Sequence, residues 1–134
     1  MFMSVFSPPP TPYRQGKLSG IRNASKILAN RLALLHTSFI DTNLKTPLEG
    51  YALPTGKQLS ANVGRMTPDR IQEWMQGQFP IGRGYYFGGF VRDGSVTIDV
   101  FEYFDRLEDA LYVASITGSK YVLSINENTK MEIK

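Results

Sequence analysis

The sequence predicts an α+β fold: an antiparallel sheet of three to four strands with covering helices, plus an extended Pro-rich N-terminal arm. Three observations carry this. Apolar residues recur at helical spacing between Ile21 and Phe39. A run of aromatic and β-branched residues from Tyr85 to Tyr103 is interrupted only by Arg92-Asp93-Gly94, the mark of a β-hairpin. Behind it, Asp105 with Glu108 three residues later opens another helix pattern, and a strand pattern follows that helix. At 134 residues one domain is expected. It divides into an arm over residues 1–16 and a single α+β domain over 17–134.

The arm is defined by Pro8, Pro9, Pro10 and Pro12, which favour polyproline II and forbid sheet pairing. Its tip carries Met1, Phe2, Met3, Val5 and Phe6, large apolar groups that solvated tails normally avoid. In the first helix Ile21, Ala24, Leu28, Leu32, Leu35 and Phe39 form the inner face, widened by Ile27 and Leu34, with Arg22, Lys26 and Asn30 opposite. Arg31 sits at the edge of that stripe, where its stem can be buried while the guanidinium reaches polar surroundings. Residues 41–66 read as loop, with a short strand around Tyr51 to Leu53. Thr67, Pro68 and Asp69 are an N-cap, a first-turn proline and a first-turn acid, so a helix starts there, with Ile71, Trp74 and Met75 inward and Gly77 as its stop. Tyr85 to Val91 and Ser95 to Tyr103 are the hairpin strands. In the second, Val96, Ile98 and Val100 point one way and Thr97, Asp99, Phe101 and Tyr103 the other. The next helix packs Leu107, Ala110, Leu111 and Ala114 and ends at Gly118. Lys120 to Ile125 is a third strand, with Met131 to Lys134 as a short fourth.

Composition removes several chemistries. Without cysteine there is no disulfide scaffold, no Cys-ligated zinc and no thiol nucleophile, and with one histidine a catalytic triad would have to use His36. His36 reads instead as a surface group at a helix end. The net charge of +3 conceals an asymmetry. Residues 1–66 hold eight basic groups against Asp41 and Glu49, a balance of +6, whereas residues 67–134 hold seven basic and ten acidic groups, a balance of −3. Such a split reads first as an ordinary solvated face; as a functional mark it suits a polyanion, an acidic partner or the acidic half of a neighbouring copy. No run approaches the roughly 20 apolar residues of a membrane span. Met1 to Phe6 lacks the positive flank of a secretory signal, so the expected location is the cytoplasm.

Gly50 to Lys57 has a superficial likeness to a phosphate-binding loop. Five residues separate its glycines instead of four, Pro54 lacks an amide donor and Gln58 follows the lysine, so it reads as ordinary loop. Arg83-Gly84-Tyr85-Tyr86-Phe87-Gly88-Gly89-Phe90 resembles the aromatic strand of RNA-recognition modules. The competing reading places Tyr85 and Phe87 beneath a helix. Asp99 with Glu132-Ile133-Lys134 has the outline of a nuclease-like set, but a terminal lysine lacks the fixed geometry that catalysis needs. No catalytic residue, metal site or cofactor is assigned.

Between Gly50 and Ile133 the chain resembles small uncharacterised proteins carried by bacteriophages and plasmids. The likeness rests on Gly50-Tyr51-Ala52, the Thr67-Pro68 helix with Trp74, Tyr86 to Val91, Ile98-Asp99-Val100, Ala110 to Ala114 and the closing strand. It implies a mobile-element origin, hence a host cytoplasm or a virion, and carries no catalytic residue with it.

The resulting expectation is a non-enzymatic protein-interaction or assembly protein. Its arm, through Phe2, Met3, Val5, Phe6 and Tyr13, docks on a protein partner or a neighbouring subunit, with no membrane involved. The alternative is a small nucleic-acid-binding module using Lys17, Arg22, Lys26, Arg83, Tyr85 and Phe87. An enzyme ranks third.

Overall fold

The computed structural model describes residues 12–34, 36–78, 81 and 84–133, and of residues 12–19 the backbone only. Helix α1 spans Pro12–Ala33. Its start corrects the arm boundary: residues 12–16 are helical, and Pro12 at the first helical position forfeits no hydrogen bond. Its end corrects the periodicity. Leu34 is 69% exposed, and Phe39, though in phase with the helix, belongs to strand β1 (Ser38–Ile40). Phe2, Met3, Val5 and Phe6 lie outside the described residues. Tyr13 and Lys17 are placed on α1 by their backbone alone.

The remaining elements are β2 (Tyr51–Pro54), β3 (Leu59–Asn62), a single 3-10 turn, α2 (Pro68–Gln78), β4 (Tyr85–Arg92), β5 (Ser95–Phe104), α3 (Leu107–Thr117), β6 (Tyr121–Ser124) and β7 (Thr129–Glu132). The described residues thus form one seven-stranded antiparallel sheet, not one of three or four strands. Its order is β1-β4-β5-β2-β6-β7, with β3 also paired to β5. The extra strands β1 and β3 are three and four residues long, too short to show a period of two.

Local chemistry sets the joints. Asp93 and Gly94, with φ of 53° and 79°, form the two-residue turn that suits the right-handed twist of β4 and β5. Helix α2 starts as its sequence directs, the Thr67 hydroxyl accepting from the Arg70 amide at 3.3 Å. Gly77 does not stop it; the helix runs one residue further, to Gln78. Gly118 ends α3 in the left-handed conformation at φ 76°. The N-cap of α3 is Arg106 rather than Asp105, and the Arg106 guanidinium instead pairs with Glu108 on the exposed surface. Arg31 ends with its guanidinium donating to the hydroxyls of Ser38 and Thr46, both at 3.0 Å, which ties α1 to β1 and to the loop beyond it.

All three helices cover one sheet face. Ile21, Ala24, Leu28 and Leu32 of α1 and Ile71 and Met75 of α2 pack on Phe87, Val96, Ile98 and Val100. Ala110 and Ala114 of α3 pack on Leu53 and Val122. Among the described residues no helix lies on the opposite face, yet Phe39, Ala52, Phe101 and Leu123 are buried there. Curvature explains this. Strands β4 and β6 are separated by two others, so a flat sheet would hold them roughly 14 Å apart, whereas the rings of Phe90 and Tyr121 meet at 6.3 Å. The sheet therefore curls around its own aromatic residues. Gly88 makes the curl possible: a side chain there would collide with the ring of Phe39, which packs edge-on against Phe101 at 5.2 Å.

Candidate functional site

Strands β2 and β3 are two halves of one interrupted strand. The Thr55 amide donates to the Val100 carbonyl at 3.0 Å and Leu59 pairs with Ile98, so residues 56–58 all stand opposite Asp99 alone. This is an extended β-bulge. Two of its amides point inward, and the Asp99 carboxylate, 1% exposed, collects them, Lys57 at 2.9 Å on Oδ1 and Gly56 at 3.2 Å on Oδ2, together with the amide of its own neighbour Val100 at 2.7 Å on Oδ1. The Thr55 hydroxyl, whose shorter bond is to the Val100 carbonyl, lies 3.4 Å from Oδ1. On the other side, the Trp74 indole donates to the Lys57 carbonyl at 3.0 Å. The bulge is clamped from both flanks. Burial pushes the Asp99 carboxyl above the ordinary carboxylate range, and the hydrogen bonds it accepts only partly oppose this.

Beside the bulge lies a cleft of about 530 Å³. One wall is Pro54, Thr55, Gly56 and Gln58, and the other is the C-terminal end of α3 with Thr117, Gly118, Ser119 and Lys120. Leu53, Tyr85 and Glu102 form a row across β2, β4 and β5, since Leu53 pairs with Glu102 and Glu102 with Tyr85. The Ser119 hydroxyl reaches the Pro54 carbonyl at 3.4 Å and bridges the walls. Tyr121, also lining the cleft, has its phenol pushed up to about 12 by burial first and by the Asp99 charge second.

The amides that a phosphate loop would need are thus already engaged by Asp99. Asp99, which lines the cleft, accepts Lys57 and Val100 on Oδ1 and Gly56 on Oδ2; Lys134 of the nuclease-like set lies outside the described residues, and among those described no three His, Asp or Glu side chains converge. Of the nucleic-acid candidates, Arg83 and the Lys17 side chain lie outside what is described, and the others are placed separately. Arg22 and Lys26 are exposed one turn apart on α1, and Tyr85 is half-buried beside the α1–α2 core. Phe87 is fully buried with Trp74 edge-on at 5.7 Å. It cannot stack on a base, and the helix-covered reading is observed for Phe87; Tyr85 packs against the edge of the same core and also lines the cleft.

Sequence reasoning missed the outer surface of α3. Leu111, expected in the packing stripe, is 41% exposed, and Tyr112 and Ile116, one turn apart, are 69% and 66% exposed. A signal was present. Ala110 and Ala114 with the half-buried Leu107 and Val113 already fill the inner side, leaving three large apolar side chains with no inward position. Against family models, curated proteins and solved structures, the chain has no significant match.

Proposed function

We propose that the protein is an interaction or assembly protein, in the mobile-element setting that its phage-like resemblance suggests, which engages a protein partner through apolar surface. The observation that carries this reading is the outer face of α3. Tyr112 and Ile116, one turn apart, are exposed together on a helix whose inner side is already packed, with Leu111 partly exposed at its flank, and neighbouring exposed apolar groups mark contact surfaces. The apolar arm residues Phe2, Met3, Val5 and Phe6, with Tyr13, supply the second element, docking on the partner or on a neighbouring copy. Affinity capture and sedimentation test the two elements separately. Deletion of residues 2–11 and the pair Tyr112→Ser, Ile116→Ser are each expected to reduce partner capture or self-association. If both variants leave capture and sedimentation unchanged, the reading fails.

One observation favours a nucleic-acid role as the second reading. Helix α1 carries Arg14, Lys17, Arg22, Lys26 and Arg31 and no acid. Arg31 is engaged by Ser38 and Thr46, which leaves Arg22 and Lys26 as the exposed cations of its described side chains. Two phosphate contacts give a slope of about −1.8 in log affinity against log salt. A salt titration yielding this slope or a steeper one, abolished by nuclease treatment of the captured material, would move this reading to first place.

A further inference from the structure

We propose that the cleft between the Asp99-clamped bulge and the end of α3 is a binding site for an alkyl-guanidinium or alkyl-ammonium group. Its size lies within the range of about 300–1,000 Å³ typical of ligand pockets, at about 530 Å³. Both walls are fixed before any ligand arrives. Asp99 and Trp74 hold the bulge, and the Gly118 turn, the Thr117–Ser119 hydroxyl contact at 3.1 Å and the Ser119 bond to Pro54 hold the other side.

The polarity of the cleft selects a cation. The amides of Gly56 and Lys57, the bulge donors suited to an anion, are engaged by Asp99. The opposite wall presents acceptors. The amides of Gly118 and Ser119 both go to the Ala114 carbonyl, so the carbonyl of Thr117, a residue of the cleft wall, has no backbone donor from beyond the helix among the described residues. That end of the helix carries about half a negative charge. Glu102 adds a full one from a half-buried position, with no ion-pair partner among the described residues. Leu53 and Pro54 offer apolar contact to an alkyl stem, and the Tyr85 ring beside Glu102 can take a guanidinium on its face. Lys120 is the opposing charge. It is exposed, on a flexible stem that can turn to solvent, whereas Glu102 sits further in.

The test is an amide NMR titration of the whole protein with agmatine, with butylurea as the uncharged analogue and inorganic phosphate as the anion. Agmatine is expected to shift the amides of Gly56, Gly118 and Ser119 saturably, while butylurea and phosphate do not. Glu102→Gln should weaken binding about tenfold, the loss of one charge-assisted hydrogen bond, with the rest of its spectrum superimposable on the parent. Lys120→Ala should strengthen it by removing the like charge. A blocked peptide with arginine between two apolar residues separates the sources of the group. Tighter binding than agmatine, with added shifts at Tyr112 and Ile116, assigns the cation to a polypeptide side chain; weaker binding assigns it to a free small molecule. The proposal is overturned if agmatine gives no saturable shift to about 10 mM, the weak end of useful recognition. It is equally overturned if phosphate binds in its place, or if Lys120→Ala weakens agmatine binding. The agmatine, butylurea and phosphate titrations and the Glu102 and Lys120 variants leave the arm, Tyr112 and Ile116 unaltered, so the interaction reading is tested separately by its own variants.

Discussion

Replacing Asp99 separates two properties of its carboxylate, the acceptors it provides and the charge it buries. Asp99→Ala removes the acceptor from three amides, those of Gly56, Lys57 and Val100. At about 1 kcal/mol for each net bond, moderated by water reaching the exposed side of the bulge, the expected loss is about 2–4 kcal/mol. Asp99→Asn keeps an oxygen for Lys57 and Val100 but turns an amide nitrogen toward the Gly56 donor. It also relieves the burial of charge that raises the Asp99 pKa, so its cost at neutral pH should stay within about 1 kcal/mol. The pH dependence has a definite sign. Because the folded pKa lies above the unfolded value of 3.8, the stabilisation linked to Asp99 is complete below 3.8 and declines as pH rises through the folded pKa. The parent should therefore gain stability relative to Asp99→Asn when pH is lowered through that window. Urea unfolding of the three proteins at neutral and acid pH measures this, with midpoints compared at constant m. If Asn proves as damaging as Ala at neutral pH, the charge itself holds the bulge and the reasoning from burial is wrong.

Other outcomes follow from the same contacts. Gly88→Ala should destabilise by about 1–3 kcal/mol in thermal or urea unfolding, because its methyl group meets the Phe39 and Phe101 rings on the closed face of the sheet. Tyr121 should ionise near 12 when followed by phenolate absorbance. Its linked stabilisation is complete below the ordinary value of 10.0 and fades as pH rises through the folded pKa, so Tyr121→Phe should lessen the alkaline loss of stability. Serine at Leu111, Tyr112 and Ile116 together should leave the urea midpoint nearly unchanged while lowering partner capture, since these side chains are exposed in the isolated chain.

What the sequence disclosed was local. The Asp93-Gly94 hairpin, the Thr67-Pro68 helix start and the Gly118 stop are each decided by residues within one turn of the event, and each is found where expected. Phe39 shows how locality misleads. Its spacing from Leu32 and Leu35 continues a helical stripe, yet the helix ends at Ala33 and the ring crosses to the other side of the sheet to meet Phe101. The candidate cleft was hidden for a related reason. Alternation placed Asp99 opposite Val100, but its partners are the amides of Gly56 and Lys57, more than forty residues earlier, and no periodicity reports such a pairing.

The interruption of the long strand accounts for the cleft, and it can be removed without disturbing register. Three residues, 56–58, oppose one, so deleting Lys57 and Gln58 leaves Gly56 facing Asp99 and keeps Thr55 on Val100 and Leu59 on Ile98. The inward and outward alternation is preserved, because the deletion removes an even number of residues. Asp99 would then occupy a regular strand position with no amides to collect, and Trp74 would lose its acceptor at Lys57. Pairing the deletion with Asp99→Thr removes the stranded carboxylate and supplies a residue that favours strands. This variant should retain the sheet, seen as unchanged amide shifts for β4 and the far half of β5, and should lose the agmatine response at Gly118 and Ser119. If it folds and still binds agmatine with undiminished affinity, the bulge is not a wall of the site, and the end of α3 with Glu102 would have to suffice.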